Sequence, residues 1–139
     1  MSTERNKTIT RRYFDELWNQ NNFAVIDEII APEVVGYASG QTFSGTDALR
    51  QRSKNLRAIY SDVSFTVEDQ IAEGDKTLVR WTFRGRHTGE YMGARPTGKE
   101  VVATGMNLFR LADGRIEEVW VESDDLGELQ QLGVVTRPK

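Results

Sequence analysis

The sequence predicts an α+β fold in which helices near the amino end pack on one face of a curved antiparallel sheet. Three observations carry that expectation. Apolar residues recur at helical spacing as far as Tyr60, the period changes to two after Asp62, and Asp113-Gly114 sits between two alternating segments, Val101 to Leu111 and Arg115 to Glu122. An Asp-Gly pair supplies the positive backbone angles of a tight hairpin, so those two segments are expected to pair. The helical face and the apolar sheet face would then close on each other as a cone, with room for one small apolar ligand.

The helices are read from spacing and caps. Ser2 or Thr3 can cap a first helix with Glu4 in its first turn, and Ile9, Tyr13, Phe14, Leu17 and Trp18 mark its buried face. The polar cluster Asn19 to Asn22 ends it. A second, shorter helix carries Phe23, Ile26, Ile29 and Ile30, and Pro32 is expected to stop it. Glu33 to Ser39, with Val34, Val35 and Tyr37, reads as a short strand running into a turn. Gly45-Thr46-Asp47 opens a third helix in which Thr46 can cap, with Leu49, Ser53, Leu56 and Ile59 or Tyr60 on one side.

The strands follow by alternation. Val63, Phe65 and Val67 lie on one face of a strand that runs to Ile71 and turns at Glu73-Gly74-Asp75. From Lys76 to His87, Val79, Trp81, Phe83 and His87 share a face, with Arg80, Thr82, Arg84 and Arg86 opposite. The connection Thr88 to Gly98 is rich in glycine and contains a proline, which suits a rim or lid better than a minimal turn. After the hairpin come Asp124 and Asp125, then a short run, Leu126 to Leu132, closed by Gly133. The hairpin therefore delivers one or two carboxylates to the edge of the sheet.

Composition narrows the function classes. The 139 residues suit one domain spanning 1–139, with no repeat, linker or low-complexity segment. Lys and Arg number 18 against 21 Asp and Glu, a net charge of −3, and the basic residues are scattered, so nucleic acid is not an expected partner. There is no cysteine, which excludes disulfides and a thiol nucleophile and leaves the redox compartment open. A single histidine cannot build a multi-histidine metal site, and no metal is expected. No segment approaches the apolar length of a membrane span or a signal peptide, so a soluble cytoplasmic protein is the expectation. Glycines 85, 89 and 93 follow a strand but open no helix, so they form no dinucleotide fingerprint, and any such cofactor would have to bind in the cone itself.

Several side chains could carry chemistry. Asp124 and Asp125 read either as an acid/base group or as the cap of the terminal helix. His87 points with two large aromatics and suits proton transfer near neutrality, though an imidazole in an apolar strand also serves as a hydrogen-bonded packing group. Arg110 could pair with Asp124, orient a carbonyl or stabilise an enolate, or be a cross-strand partner of Glu117. Phe14, Tyr60, Trp81, Phe83, Met92 and Trp120 belong to the pool of pocket walls, and Tyr37 and Asn107 add polar tips that could fix a ligand by hydrogen bonds.

Residues 85–99, GRHTGEYMGARPTGK, then LFRLADGRI and WVESDDLGELQQLG, resemble the SnoaL-like polyketide cyclase family of the NTF2-like superfamily. The likeness extends over nearly the whole chain, and the final motif is its most specific part. It implies an NTF2-like cone and a cofactor-free intramolecular aldol closure of an aromatic polyketide, in antibiotic or other secondary metabolism. It also implies a homodimer or homotetramer built through the outer sheet face. The family's acid/base aspartate stands four residues after a tryptophan, which points to Asp124 after Trp120 and leaves Asp125 as the cap. A low-dielectric wall at Trp120 would then favour the protonated form of Asp124. Two departures are visible: Val119 stands where many members have histidine, and Glu128 where an apolar residue is usual. Relatives that hydroxylate polycyclic quinones or only bind small molecules keep a hydroxylase and a non-catalytic binding module as alternatives.

Overall fold

A computed structural model describes residues 2–136. Helix α1, Thr3–Arg12, starts at Ser2, whose side chain accepts the Arg5 N–H, and continues into a π-helical segment, Tyr13–Asn19. Then come α2 (Ala24–Ile29), β1 (Ile30–Ala38), β2 (Gln41–Ser44), α3 (Thr46–Ile59), β3 (Tyr60–Glu73), β4 (Lys76–His87), β5 (Glu100–Ala112), β6 (Arg115–Ser123) and α4 (Asp125–Gln131). The strands form one sheet in the order β2-β1-β6-β5-β4-β3. Every neighbouring pair is antiparallel except β1 and β6, which run parallel. No helix among the described residues is long and apolar enough to cross a membrane.

The expected helical face is buried in full: Ile9, Tyr13, Phe14, Leu17 and Trp18 are each at most 8% exposed. The π segment was not legible in the spacing, because a widened turn leaves the apolar residues on the same side. It brings Tyr13 edge-on to both Phe14 and Phe109, with centroids 5.1 and 4.9 Å away.

Two local expectations are corrected and a third is made specific. Pro32 does not end α2 in a loop; the helix closes at Ile29, and Pro32 lies exposed within β1, where pairing with β6 shifts register between Ile30 and Val35. A residue without an N–H is tolerated at such an irregularity. Thr46 is the first residue of α3 rather than its cap, and its hydroxyl takes a hydrogen bond from Arg50. The turn after β1 is a hairpin: Ser39 and Gly40, at φ of 52° and 76°, connect Ala38 to its partner Gln41.

Strand β4 shows the cleanest alternation, with Thr77, Val79, Trp81, Phe83, Gly85 and His87 all turned inward. Its neighbours are less regular. Arg110 pairs with Glu118 but Leu111 pairs with Ile116, so Glu117 is an extra residue on β6. That bulge reverses the phase of the strand: Ile116 and Val119 are both buried, and Trp120 turns to the outer face. A second bulge on β3, at Glu68, leaves Ile71 63% exposed.

The connection after β4 is fastened at both ends. His87 N–H donates to Lys99 O and Gly98 N–H to His87 O, while Thr88 and Gly89 both donate to Ile59 O at the end of α3. Gly89 lies so close to α3 that a Cβ there would stand 1.8 Å from the Ala58 carbonyl oxygen. Replacing Gly89 with Ala forces backbone apart and is expected to lower stability by about 1–3 kcal/mol, read from urea denaturation. An unchanged midpoint would contradict this packing.

Candidate active site

Between the helices and the inner sheet face lies a cavity of about 300 Å³. Phe14 and Trp18 from the π segment, Phe65 from β3, and Trp81 and Phe83 from β4 give it aromatic walls. The rings pack edge-on or tilted: Phe65 lies 5.2 Å from both Trp81 and Phe83, and Tyr60 lies 5.1 Å from Phe83. Trp81 is locked by a buried hydrogen bond from its indole Nε1–H to Asn107 Oδ1, 2.9 Å long. Asn107 therefore positions a wall residue and does not itself line the cavity.

Three carboxyl groups, Asp124, Asp125 and Glu128, meet this aromatic wall. They come from the end of β6 and the first turn of α4, and each is held differently. Asp124 is the N-cap of α4: its Oδ1 accepts the Gly127 N–H at 2.9 Å, and its own N–H donates to Thr104 O. The cap is thus Asp124 and not Asp125, as the family likeness had suggested. Asp125 ties the β1–β2 turn to β6, because its two oxygens accept the hydroxyls of Ser39 and Ser123, each at 2.7 Å.

Glu128 accepts the phenolic hydroxyl of Tyr60. Burial is the main cause that raises the Glu128 carboxyl above its usual pKa of 4.5, and the charge of Asp125 pushes the same way. The Tyr60 hydrogen bond and the His87 charge oppose that shift. Burial, followed by the hydrogen bond to Glu128, likewise drives the Tyr60 phenol far above its ordinary value, so it remains a neutral donor. Asp124 is exposed, and Trp120 stands on the other face of β6, so the low-dielectric wall expected at Asp124 surrounds Glu128 instead.

The remaining sequence candidates separate into four groups. Phe14, Tyr60, Trp81 and Phe83 line the cavity beside Asp124. His87 is fully buried next to Tyr60, with ring centroids 6.1 Å apart, and is not on the cavity wall. Its Nδ1 accepts the Thr97 N–H at 3.1 Å, which puts the ring proton of the neutral form on Nε2, and that atom has no partner among the described residues. Met92 sits 62% exposed in the loop turned by the Tyr91–Ala94 bridge, and it is Tyr91 that reaches the cavity.

Arg110, Tyr37 and Trp120 stand together on the outer face. Arg110 donates to Glu118 at 2.7 Å and to Glu117 at 3.3 Å, the Tyr37 hydroxyl donates to Glu118, and Tyr37 stacks on Trp120 at 5.6 Å. The bulge at Glu117 is the physical reason, since it turns Val121 toward the cavity and Trp120 away from it. Glu128 is the cavity carboxyl that the sequence pattern alone does not single out as a site residue. Its signal was nonetheless present: it lies four residues after Asp124, which on a helix brings both carboxyls to one face.

Comparisons with known proteins agree with this architecture. Residues 8–132 match the family model of SnoaL-like polyketide cyclases. A nogalonic acid methyl ester cyclase of Streptomyces nogalater is 30% identical over 111 residues, covering 78% of this chain and 83% of that protein. Among solved structures, AclR of Streptomyces galilaeus, assigned by name as a hydroxylase, superposes with a TM-score of 0.87 at 25% identity, covering 99% of this chain and 87% of that one. IdmH of Streptomyces antibioticus, assigned as a polyketide cyclase, gives a TM-score of 0.81 at 29% identity, covering 91% and 97%.

The raised carboxyl of Glu128 has a consequence for stability. Between the ordinary carboxylate pKa and its raised folded value, the folded chain holds a proton at Glu128 that the unfolded chain has lost. Stability from this group is therefore full below the ordinary value and falls as pH rises through the folded one. Glu128→Gln is expected to flatten that fall, so that the variant gains on wild type in urea denaturation series as pH increases. Parallel curves for the two proteins would contradict the assignment.

Proposed function

The chain belongs to the SnoaL-like polyketide cyclase family, and from that premise we propose that it closes a ring in an aromatic polyketide ester by an intramolecular aldol reaction. The observation that carries the reading is the junction of an aromatic cavity with Asp124 at the end of β6. Flat aromatic walls suit a polycyclic ligand, and a carboxylate on their border can reach an acidic C–H beside a carbonyl.

In this reading Asp124 takes the proton from the carbon next to the ester or ketone carbonyl. The resulting enolate carbon attacks a second carbonyl of the same molecule, forming the ring bond, and the new alkoxide regains the proton from Asp124. Atoms balance without any oxidant or cofactor. The cap hydrogen bond from Gly127 fixes one carboxyl oxygen, and the other has no protein partner among the described residues, which leaves it for substrate. Asn107 acts only by holding the Trp81 ring.

The likeness to AclR favours a second reading, oxygenation of a polycyclic substrate in the same cavity, with electrons from a reduced cofactor or a partner protein. A third, a small-ligand-binding module without turnover, keeps the cavity and leaves Asp124 as a cap alone. Under all three, the outer sheet face is the proposed surface for a homodimer or larger assembly. There Tyr37 and Trp120 stack and Met106 is 46% exposed.

Nogalonic acid methyl ester is the natural first probe, because a relative is named for its cyclisation. Purified protein is expected to convert it to an isomer of equal mass or to its dehydrated product. Asp124→Asn is expected to fold and to lower kcat by about 10²–10⁴-fold. A product heavier by one oxygen would select the hydroxylase reading, and full activity in Asp124→Asn would remove the role of Asp124.

A further inference from the structure

Glu128 is the wall carboxyl that neither the helix cap nor the serine ties account for. Its Oε2 is occupied by the Tyr60 phenol, and its Oε1 has no hydrogen-bond partner among the described residues while the side chain lines the cavity. Asp125, by contrast, has both oxygens engaged. We propose that Glu128, held by Tyr60, is a ligand-binding acid that presents its second oxygen as a hydrogen-bond donor to a ring carbonyl of an oxygenated aromatic ligand. This deepens the reading of the cavity as a site for polycyclic ketones and rests on it.

The argument is one of hydrogen-bond supply. Tyr60 has a single proton, and it is already given to Glu128 Oε2. When the carboxyl is protonated, its proton therefore belongs on Oε1, the oxygen with no protein acceptor. A carbonyl oxygen in the cavity satisfies that donor, whereas an ionised Glu128 would face the carbonyl with like-signed oxygens. The groups around Glu128 are Tyr60 of β3, His87 of β4, Tyr91 of the following connection, Asp124 and Asp125 at the start of α4, and Arg52 of α3 across the cavity. Burial against aromatic rings, and then the charge of Asp125 on its own element, favour the protonated carboxyl. The Tyr60 hydrogen bond and the His87 charge work against it.

The test compares 9-fluorenone, a neutral tricyclic ketone, with fluorene, the same rings without the carbonyl, by calorimetric or fluorescence titration of the full chain. Wild type is expected to prefer fluorenone by about tenfold on the acid side of the Glu128 titration and to lose that preference as pH rises through it. Glu128→Gln, which keeps a donor that does not titrate, is expected to hold the preference at every pH. Glu128→Leu, which has no donor, is expected to show none at any pH. The proposal is overturned if Glu128→Gln keeps the pH dependence of wild type, if Glu128→Leu keeps the preference, or if neither probe binds. Binding is read without turnover, so loss of this preference leaves the Asp124 assay untouched, and failure to cyclise the polyketide ester leaves this role of Glu128 in place.

Discussion

The unbroken alternation of β4 is the constraint on which the rest of the structure depends. Six inward positions, Thr77 to His87, present one continuous face to the helices, and Trp81 and Phe83 at its middle become walls of the cavity. Every other element adjusts to that face. The π segment turns Phe14 and Trp18 toward it, β3 sets Phe65 against both of its large aromatics, and Asn107 on β5 fixes the indole of Trp81. Burying an indole N–H without a partner would cost about 1–3 kcal/mol, so the Asn107 bond is part of what lets a tryptophan stand there.

On this frame the end of β6 becomes a place where carboxyl groups and aromatic rings meet. Helix α4 is docked by Gln131, whose side-chain amide pairs with both the N–H and the C=O of Val102 on β5. Docking in turn presents Asp124, Asp125 and Glu128 to one cavity in three electrostatic settings. Asp125 is spent on structure, Asp124 is exposed with one oxygen capped, and Glu128 is half-buried against a phenol. Neighbouring carboxyls in unlike settings can take different proton-transfer and hydrogen-bonding tasks. The proposed division of labour, proton transfer at Asp124 and carbonyl recognition at Glu128, rests on those settings and not on the residue types alone.

The sequence revealed the architecture well and the site less completely, for reasons that lie in particular residues. Alternation placed Trp81, Phe83 and His87 on the inner face of β4 because no bulge interrupts it, and Asp113-Gly114 located the β5–β6 turn because only a few residue types tolerate its backbone angles. Trp120 and Tyr37 could not be sided from their own strands, since a single extra residue at Glu117 inverts the phase of β6. Bulges carry little signal in composition. Arg110 has its carboxylate partners one strand away, with Glu118 nearer than Glu117, and that choice depends on the same shift of register. His87 is inward as its parity with Trp81 and Phe83 implies, and Asn107 is buried as well, yet both support the walls from behind, a distinction of depth that a pattern of period two does not contain.

The measurement that bears most directly on the account is a crystal structure of the chain with a bound polycyclic aromatic ketone. The rings are expected to lie between Phe14, Phe65, Trp81 and Phe83, with ligand oxygens within hydrogen-bond distance of Asp124 and Glu128. A ligand seated instead on the outer sheet face beside Tyr37 and Trp120, with the aromatic cavity empty, would contradict it.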